Sequence, residues 1–178
     1  EPFLTCDHRT MLEETDKGSY LYKGYGAVAL GLVLREINDD LDIEKYQEFR
    51  EKALTVLRTG LDSKKMDKKT QAAFCVGVGI ARDRKSREPL RTILDDKNGD
   101  KMLRSYAALG LGLVGDPSPE VAKSIADAML ERSSDELRRQ TAAALGLLGN
   151  PKISGTGKDA VEILIDELKE AKSQSHKG

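Results

Sequence analysis

The sequence has no tryptophan, and only 4% of its 178 residues are aromatic. This composition favours many small helix–helix interfaces over one large core built on aromatic side chains. The 29 basic and 30 acidic residues leave a net charge of −1, which gives no support for nucleic acid as a partner. No apolar run approaches the roughly 18 residues of a membrane span, so no membrane partner is expected.

Residue types that bind metals or act as nucleophiles are scarce. The two cysteines, Cys6 and Cys75, are too few for a disulfide framework and leave the redox compartment open. Cys75 falls on the apolar side of a repeated segment, where we expect a small buried side chain. His8 and His176 stand near opposite ends of the chain, whereas a metal site needs three or four convergent ligands. We therefore predict no catalytic residue, no metal site and no cofactor.

The N-terminal segment, residues 1–17, is polar and weakly periodic. We expect it to be irregular, with at most a short helix from Asp7 to Glu14. The first residues include neither an initiator methionine nor the apolar region of a signal peptide. We therefore expect the sequence to be excised from a longer protein. It leaves the cellular location open, with the cytoplasm weakly favoured.

An internal repeat dominates the rest of the sequence. The segment LRRQTAAALGLLGNP at 137–151 recurs 34 residues earlier as LRSYAALGLGLVGDP at 103–117. Weaker copies occupy residues 71–80 and 23–33. Periods of this length are typical of stacked helical repeats.

The spacing of apolar residues predicts that each copy is an inner helix, alternating with a more variable outer helix. The inner helices are predicted at about 19–37, 68–82, 101–114 and 135–148. Asp67, Asp100 and Ser134 share one repeat position before an inner helix, where we expect helix caps. No segment alternates with a period of two, so we predict no strand and about seven main helices in a single domain over residues 1–178.

The position occupied by Arg138 in the last copy can be followed through all four copies, and we call it the ladder position. Its four members are Lys23, Gln71, Arg104 and Arg138. Glycine recurs eight residues after it, although glycine inside a helix costs about 0.5–1 kcal/mol relative to alanine. These glycines are Gly31, Gly79, Gly112 and Gly146. Their recurrence predicts a crowded contact that only glycine fits.

The segment 137–151 resembles the second helix of a HEAT repeat, and is similar to the short HEAT-like subtype also found in phycobilin lyases. The resemblance is good over about 100–151, fair over 60–99 and weaker before that. It implies an all-α, right-handed solenoid of stacked antiparallel helix pairs that serves as a scaffold.

The resemblance also implies a structural ladder. In HEAT repeats the arginine of this motif usually joins an aspartate of the neighbouring turn. This assigns the ladder to Arg104 and Arg138, with Asp100 or Asp135 as their partners. Lys23 and Gln71 replace the arginine in the first copies, so a continuous ladder is not implied there.

We expect the function to lie on the surface that the inner helices leave free. The helical register predicts that Glu136, Arg139, Gln140 and Ala143 point away from the packed side. Upstream, the same register gives the pairs Ser105–Tyr106, Ala72–Ala73 and Gly24–Tyr25. This describes a small, polar face. The candidate partner contacts are Tyr25, Lys69, Tyr106, Arg139 and Gln140, since tyrosine and arginine are enriched in binding hot spots.

The predicted function is a non-catalytic scaffold that binds a protein of unknown identity, either as an extended segment or as a helix. One alternative is a role like that of the bilin lyases, with a groove for a tetrapyrrole or its acceptor protein. Another is a nucleic-acid-binding HEAT-like module, which needs a basic stripe. A small polar face argues against the first, and balanced charge against the second. Exposed terminal repeats also predict self-association.

Overall fold

The computed structural model describes the backbone of residues 8–40 and 43–175, and the side chains of residues 10–38 and 46–172. Over these ranges the chain is helical, and its β-type pairing is limited to one bridge between Lys152 and Asp159. The α-helices are α1 (His8–Lys17), α2 (Tyr20–Asp40), α3 (Ile43–Leu61), α4 (Lys68–Ile80), α5 (Arg87–Asp95), α6 (Lys101–Val114), α7 (Pro119–Leu130), α8 (Asp135–Leu147) and α9 (Ala160–Ser175). A 3₁₀ helix, Arg84–Ser86, precedes α5. The predicted all-α class is confirmed.

The four predicted inner helices are α2, α4, α6 and α8, which pack side by side in that order. Their observed ends lie within three residues of the predicted ones. Helices α3, α5, α7 and α9 are the outer helices. None of the helices in the described ranges is both long and apolar enough to cross a membrane.

The N-terminal segment is less irregular than predicted, and the short helix expected from Asp7 to Glu14 is present in it. Residues His8–Lys17 form α1, while residues 1–7 lie outside the described ranges. The helix is held by packing, because Met11 and Leu12 lie against the core and Thr15 is buried beside Gly26 of α2. With α1 and the nine-residue α5 included, the described residues contain nine α-helices against about seven predicted.

The repeated glycines bring neighbouring inner helices into backbone contact. A Cβ added at Gly31 or Gly79 would lie 2.5 or 2.8 Å from a carbonyl oxygen of the next inner helix. At Gly112 it would lie 2.6 Å from the Cα of Ala144. The predicted crowded contact is confirmed at these three positions. Gly146, at the same repeat position in α8, would have nothing within 4 Å of its Cβ.

The predicted caps are also confirmed. Asp67, Asp100 and Ser134 each accept a hydrogen bond from the backbone amide three residues later, over 3.0, 2.8 and 3.0 Å. The side-chain oxygen therefore satisfies a donor that the first turn of the helix leaves free. Because the caps recur in register, the inner helices start at equivalent points and present equivalent faces.

A buried side chain at the ladder position ties α4 and α6 each to the outer helix before it. Arg104 is only 2% exposed, and its Nε donates to the carbonyl oxygen of Leu94 in α5 over 2.8 Å. Its Nη2 donates to both carboxylate oxygens of Glu131, over 3.0 and 2.9 Å. At the same position, Gln71 donates through Nε2 to the carbonyl oxygen of Leu61 in α3 over 2.7 Å. The glutamine therefore keeps the helix-to-helix bond that the arginine makes.

The prediction that Asp100 or Asp135 pairs with the ladder arginines is wrong. Asp100 is engaged as the cap of α6, and Asp135 is the first residue of α8. Arg138 instead donates through Nη2 to Glu167 of α9 over 3.1 Å. The reason is geometric: the ladder position faces the outer helices, so the guanidinium of Arg104 reaches their ends and not the turn before its own helix.

A second set of ion pairs, not predicted from the sequence, joins outer helices to the turns after inner helices. Arg58 of α3 donates to both carboxylate oxygens of Asp83, over 2.7 and 2.6 Å. Arg87 of α5 donates to Asp116 over 2.8 Å. Asp83 and Asp116 are 33 residues apart, each just after an inner helix, so their repeat spacing is the signal that could have identified them.

Replacing the repeated glycines with alanine tests the crowded contact. We expect Gly112→Ala to lower the free energy of unfolding by about 1–2 kcal/mol, because the new methyl group forces α6 and α8 apart. Gly146→Ala should raise it by about 0.5–1 kcal/mol, because helix propensity improves and no atom is in the way. Urea denaturation followed by circular dichroism measures both values. Equal effects at the two positions would show that stacking does not depend on close backbone contact.

The two ladder arginines provide a matched comparison. Arg104→Met should cost about 3 kcal/mol of unfolding free energy, because it leaves the Leu94 carbonyl and the Glu131 carboxylate without their partner. Arg138→Met should cost about 1 kcal/mol or less, because its side chain is 26% exposed and water can replace it. Chemical denaturation of both variants distinguishes them. A larger loss for Arg138→Met would contradict the structural role of Arg104.

The Arg58–Asp83 pair predicts that part of the stability of the fold is lost at acidic pH. Burial raises the pKa of Asp83, but hydrogen bonds from Arg58 and Ser86 outweigh it and hold this pKa below the ordinary value of 3.8. A lowered carboxylate pKa stabilises the fold above the ordinary value, and this stabilisation is lost as the pH falls through the folded-state pKa. We therefore expect Asp83→Asn to cost about 2 kcal/mol at pH 7 and progressively less between pH 5 and pH 2.

Denaturation midpoints across this pH range provide the measurement. For Arg58→Met, the difference in unfolding free energy from the wild-type protein should also become smaller as the pH falls, because this variant removes the other half of the pair. A difference that stays constant with pH would mean that Asp83 acts through packing and not through its charge.

Candidate functional site

The surface opposite the outer helices is formed by four positions on each inner helix. Counted from the ladder position, they lie two residues before it and two, five and nine residues after it. At about 100° per residue, all four fall within about 60° on the side away from the ladder side chain. We call these sixteen residues the inner face: Leu21, Tyr25, Val28, Leu32, Lys69, Ala73, Val76, Ile80, Met102, Tyr106, Leu109, Leu113, Glu136, Gln140, Ala143 and Leu147. All sixteen retain solvent exposure, whereas Leu30 and Leu111 on the opposite side are fully buried.

The inner face is predominantly apolar. Its polar members are Lys69, Glu136 and Gln140, and the other thirteen are aliphatic residues, methionine or tyrosine. Tyr25 is 70% exposed, and Leu147 at the other end of the array is 50% exposed. The expectation of a small, polar face is therefore wrong.

The error has a clear physical cause. The sequence-based assignment placed the residue directly after the ladder position on the free surface. In the structure this residue faces the next inner helix, so Ser105 and Ala72 are buried at 0% and 4% exposure. The position five residues after the ladder position was included only at Ala143, and the position nine residues after it was not included at all. These two positions supply most of the aliphatic surface.

Of the four predicted partner contacts on the inner face, three lie on α2, α4 and α6. Tyr25 and Lys69 are exposed, and Tyr106 is half-buried because part of its ring packs against the core. Their role in binding stays a prediction. Tyr25 lies on α2 and Tyr106 on α6, so the two rings are separated by the width of α4.

The other two predicted contacts are engaged by Glu136. Gln140, on the inner face, donates to Glu136 over 2.9 Å, and Arg139 donates to it over 2.5 Å. The hydrogen bond from Gln140, followed by that from Arg139, lowers the pKa of Glu136. Arg139 itself lies beside the inner face, where it lines a cavity of 500 Å³ between α8 and α9 with Leu164 and Leu168. Arg139 is exposed, unlike Ser105 and Ala72 at the same repeat position, because no inner helix packs on this side of α8 within the described residues.

Positive charge is concentrated at the edge of the inner face where the inner helices end. A cavity of 460 Å³ lies there, and we call it the arginine cavity. Among the residues whose side chains the structure describes, its lining combines three arginines with apolar and glycine residues and includes no carboxylate: Arg35, Ile80, Arg82, Arg84, Gly112, Leu113, Val114, Gly115 and Leu147. Three of these residues, Ile80, Leu113 and Leu147, belong to the inner face, so the cavity is continuous with it. These arginines were not predicted from the sequence, because arginine does not recur at the equivalent positions of the other copies.

The described residues offer little catalytic or metal-binding chemistry. Among them, no group of three or more histidine, cysteine, aspartate or glutamate side chains could hold a metal ion. Cys75 is fully buried, and burial raises the pKa of its thiol to about 12, so the expected small buried side chain is confirmed. Cys6, Asp7 and His176 lie outside the described residues, as does the side chain of His8.

Comparison with known proteins agrees with this architecture. A family model described as HEAT repeats matches residues 54–146, which is more than half of the chain and runs from α3 into α8. A search of curated proteins found no match. HEAT repeats generally mediate protein–protein interaction and are typically non-catalytic. The matched residues include three of the four inner helices, so the repeat architecture and the family agree: the chain belongs to the HEAT-repeat family.

Proposed function

We propose that this protein is a non-catalytic scaffold that binds another protein through its inner face. The observation that carries the proposal is the row of exposed apolar side chains across all four inner helices. Soluble proteins rarely expose a large contiguous apolar surface unless it binds a partner. The HEAT-repeat family supports the same role, since these repeats generally mediate protein–protein interaction.

The inner face has the composition of an interface with an apolar centre and a polar edge. Tyr106, Leu109 and Leu113 lie on the third inner helix and are partly exposed. Lys69, Glu136 and Gln140 lie toward the starts of the inner helices, where they form a polar rim. Binding energy is expected to come from the centre, because burying apolar and aromatic side chains stabilises a complex more than rim charges do.

A tetrapyrrole-binding role is the second candidate. The apolar inner face removes the objection that the free surface is polar, and Tyr25 and Tyr106 are aromatic side chains that could contact a ring system. The surface is open and not an enclosed pocket, which favours a protein partner over a small molecule. A nucleic-acid role has less support, because the positive groups near the inner face, Lys69 and the arginine cavity, lie at separate edges and form no continuous stripe.

Self-association is a further possibility that the C-terminal end supports. On α9, Val161, Ile165 and Leu168 are 45%, 43% and 72% exposed and share one helix face. We include this exposed face of α9 in the proposal as a second contact surface, separate from the inner face.

A matched pair of leucines tests the scaffold function. Leu147 and Leu130 are the last residues of α8 and α7, and they are 50% and 47% exposed. Only Leu147 belongs to the inner face. We expect Leu147→Asp to reduce recovery of a partner protein at least tenfold, since loss of a buried leucine and burial of a carboxylate both weaken binding. Leu130→Asp should leave recovery unchanged.

Affinity capture from a lysate of the source organism, followed by quantitative mass spectrometry, measures this difference. Circular dichroism of both variants verifies that they fold equally well. A partner lost equally from both variants, or retained by both, would contradict binding through the inner face. A chromophore detected by absorbance in place of a protein would support the tetrapyrrole role, and recovery of only further copies of this chain would support self-association.

A further inference from the structure

We propose that the partner segment bound by the inner face is an acidic amphipathic helix. Its apolar side chains lie on the inner face, and carboxylates on one of its flanks enter the arginine cavity. This inference rests on the proposed function, because it assumes that the inner face binds a protein. It adds the conformation and the charge of the segment that binds.

The chemistry of the inner face favours a helix over an extended segment. An extended segment carries free backbone amides and carbonyls, which lose their water when they are pressed against an apolar surface. The inner face offers few partners for them, since only Lys69, Glu136, Gln140 and the two tyrosine hydroxyls are polar. The backbones of the inner helices are already hydrogen-bonded internally. A helix satisfies its own backbone and presents only side chains, so it is buried there at a lower cost.

The dimensions of the surface also suit a helix. Adjacent packed helices lie about 8–10 Å apart, so a segment crossing α2, α4, α6 and α8 spans about 25–30 Å. A helix covers this distance in about 17–20 residues. Seven residues of helix advance about 10.5 Å, which is close to one inner-helix spacing. Apolar residues repeating every seven positions would therefore meet each inner helix in turn.

The arginine cavity sets the charge of the partner. Arg35 and Arg84 make no ion pair or side-chain hydrogen bond with any residue in the described ranges. Two carboxylates that follow inner helices are engaged elsewhere: Asp83 bonds Arg58 and Ser86, and Asp116 bonds Arg87. Arg35 and Arg84 are exposed to solvent, so their guanidinium groups are accessible to a negative group on a partner. Arginine binds carboxylates in a bidentate manner, so aspartate or glutamate side chains fit this edge.

The position of the cavity fixes how the helix lies. The arginines come from α2 and from the segment that follows α4, so they flank one edge of the inner face. The opposite edge carries Lys69 and Glu136, whose charges have opposite sign. Only one flank of the partner helix is therefore selected for negative charge, and this asymmetry orients it on the surface.

Two synthetic peptides test the inference. Both are fluorescein-labelled 20-residue helices with leucine every three or four residues on one face, and they differ only in having glutamate or lysine on the two flanks. Fluorescence anisotropy at 0.1 M salt measures binding to the full chain. We expect the glutamate peptide to bind with a Kd below 100 µM and the lysine peptide to bind at least tenfold more weakly.

Charge reversal in the cavity should remove the preference for the glutamate peptide over the lysine peptide. In the double variant Arg35→Glu, Arg84→Glu, the glutamate peptide should bind at least tenfold more weakly, and the lysine peptide should not. Lys97→Glu with Lys152→Glu is the matched control, because both lysines are exposed, neither belongs to the inner face or lines the arginine cavity, and the two changes alter the net charge by the same amount. Arg35→Gln with Arg84→Gln provides a milder pair if charge reversal disturbs folding.

The outcomes separate this inference from the proposed function. Equal binding of both peptides, or equal loss in the cavity and control variants, overturns the acidic preference. Absence of peptide binding at 1 mM, with a captured partner still lost on Leu147→Asp, overturns the helical partner and leaves the scaffold function standing. Unchanged capture by Leu147→Asp overturns the proposed function itself.

Discussion

Close backbone contact between neighbouring inner helices is the constraint on which the rest of the structure depends. Gly31, Gly79 and Gly112 each place an inner helix where a side chain at that position would collide with the next helix. This contact holds the inner helices at a short, regular separation. Their remaining faces then join into one surface, because equivalent positions on adjacent helices come side by side. Without that register, the apolar residues of the inner face would be four separate stripes and not one binding surface.

Buried polar contacts complete the architecture by fixing the outer helices. Arg104 and Gln71 hold carbonyl groups at the ends of outer helices, and the Arg58–Asp83 pair fixes the turn that follows α4. Strong polar bonds in this protein thus point toward the outer layer. The inner face is left with apolar side chains and a charged edge. In the proposed complex, affinity and selectivity come from different groups: the aliphatic surface supplies contact area, and the arginine cavity discriminates among partners by charge.

The parts of this architecture that were predictable from sequence are those set by local spacing. The caps at Asp67, Asp100 and Ser134, and the glycine eight residues after the ladder position, follow from residues in one helix and its register. The partner of Arg104 does not, because Glu131 lies 27 residues away and its position depends on where α7 ends. The inner face was misjudged because the residue directly after the ladder position was included and most of the positions five and nine residues after it were left out. The recurrence of aliphatic residues five and nine places after the ladder position was present in the sequence and was the signal for it.

The arginine cavity gathers residues from every inner helix: Arg35 from α2, Ile80 from α4, Leu113 from α6 and Leu147 from α8. In a stacked array each helix packs mainly on its neighbours, so the layers open separately from the ends inward. A molecule bound in the cavity touches all four layers at once. In the proposed complex, we therefore expect the bound partner to link all four layers, so that layers which otherwise open one at a time unfold as a single cooperative unit.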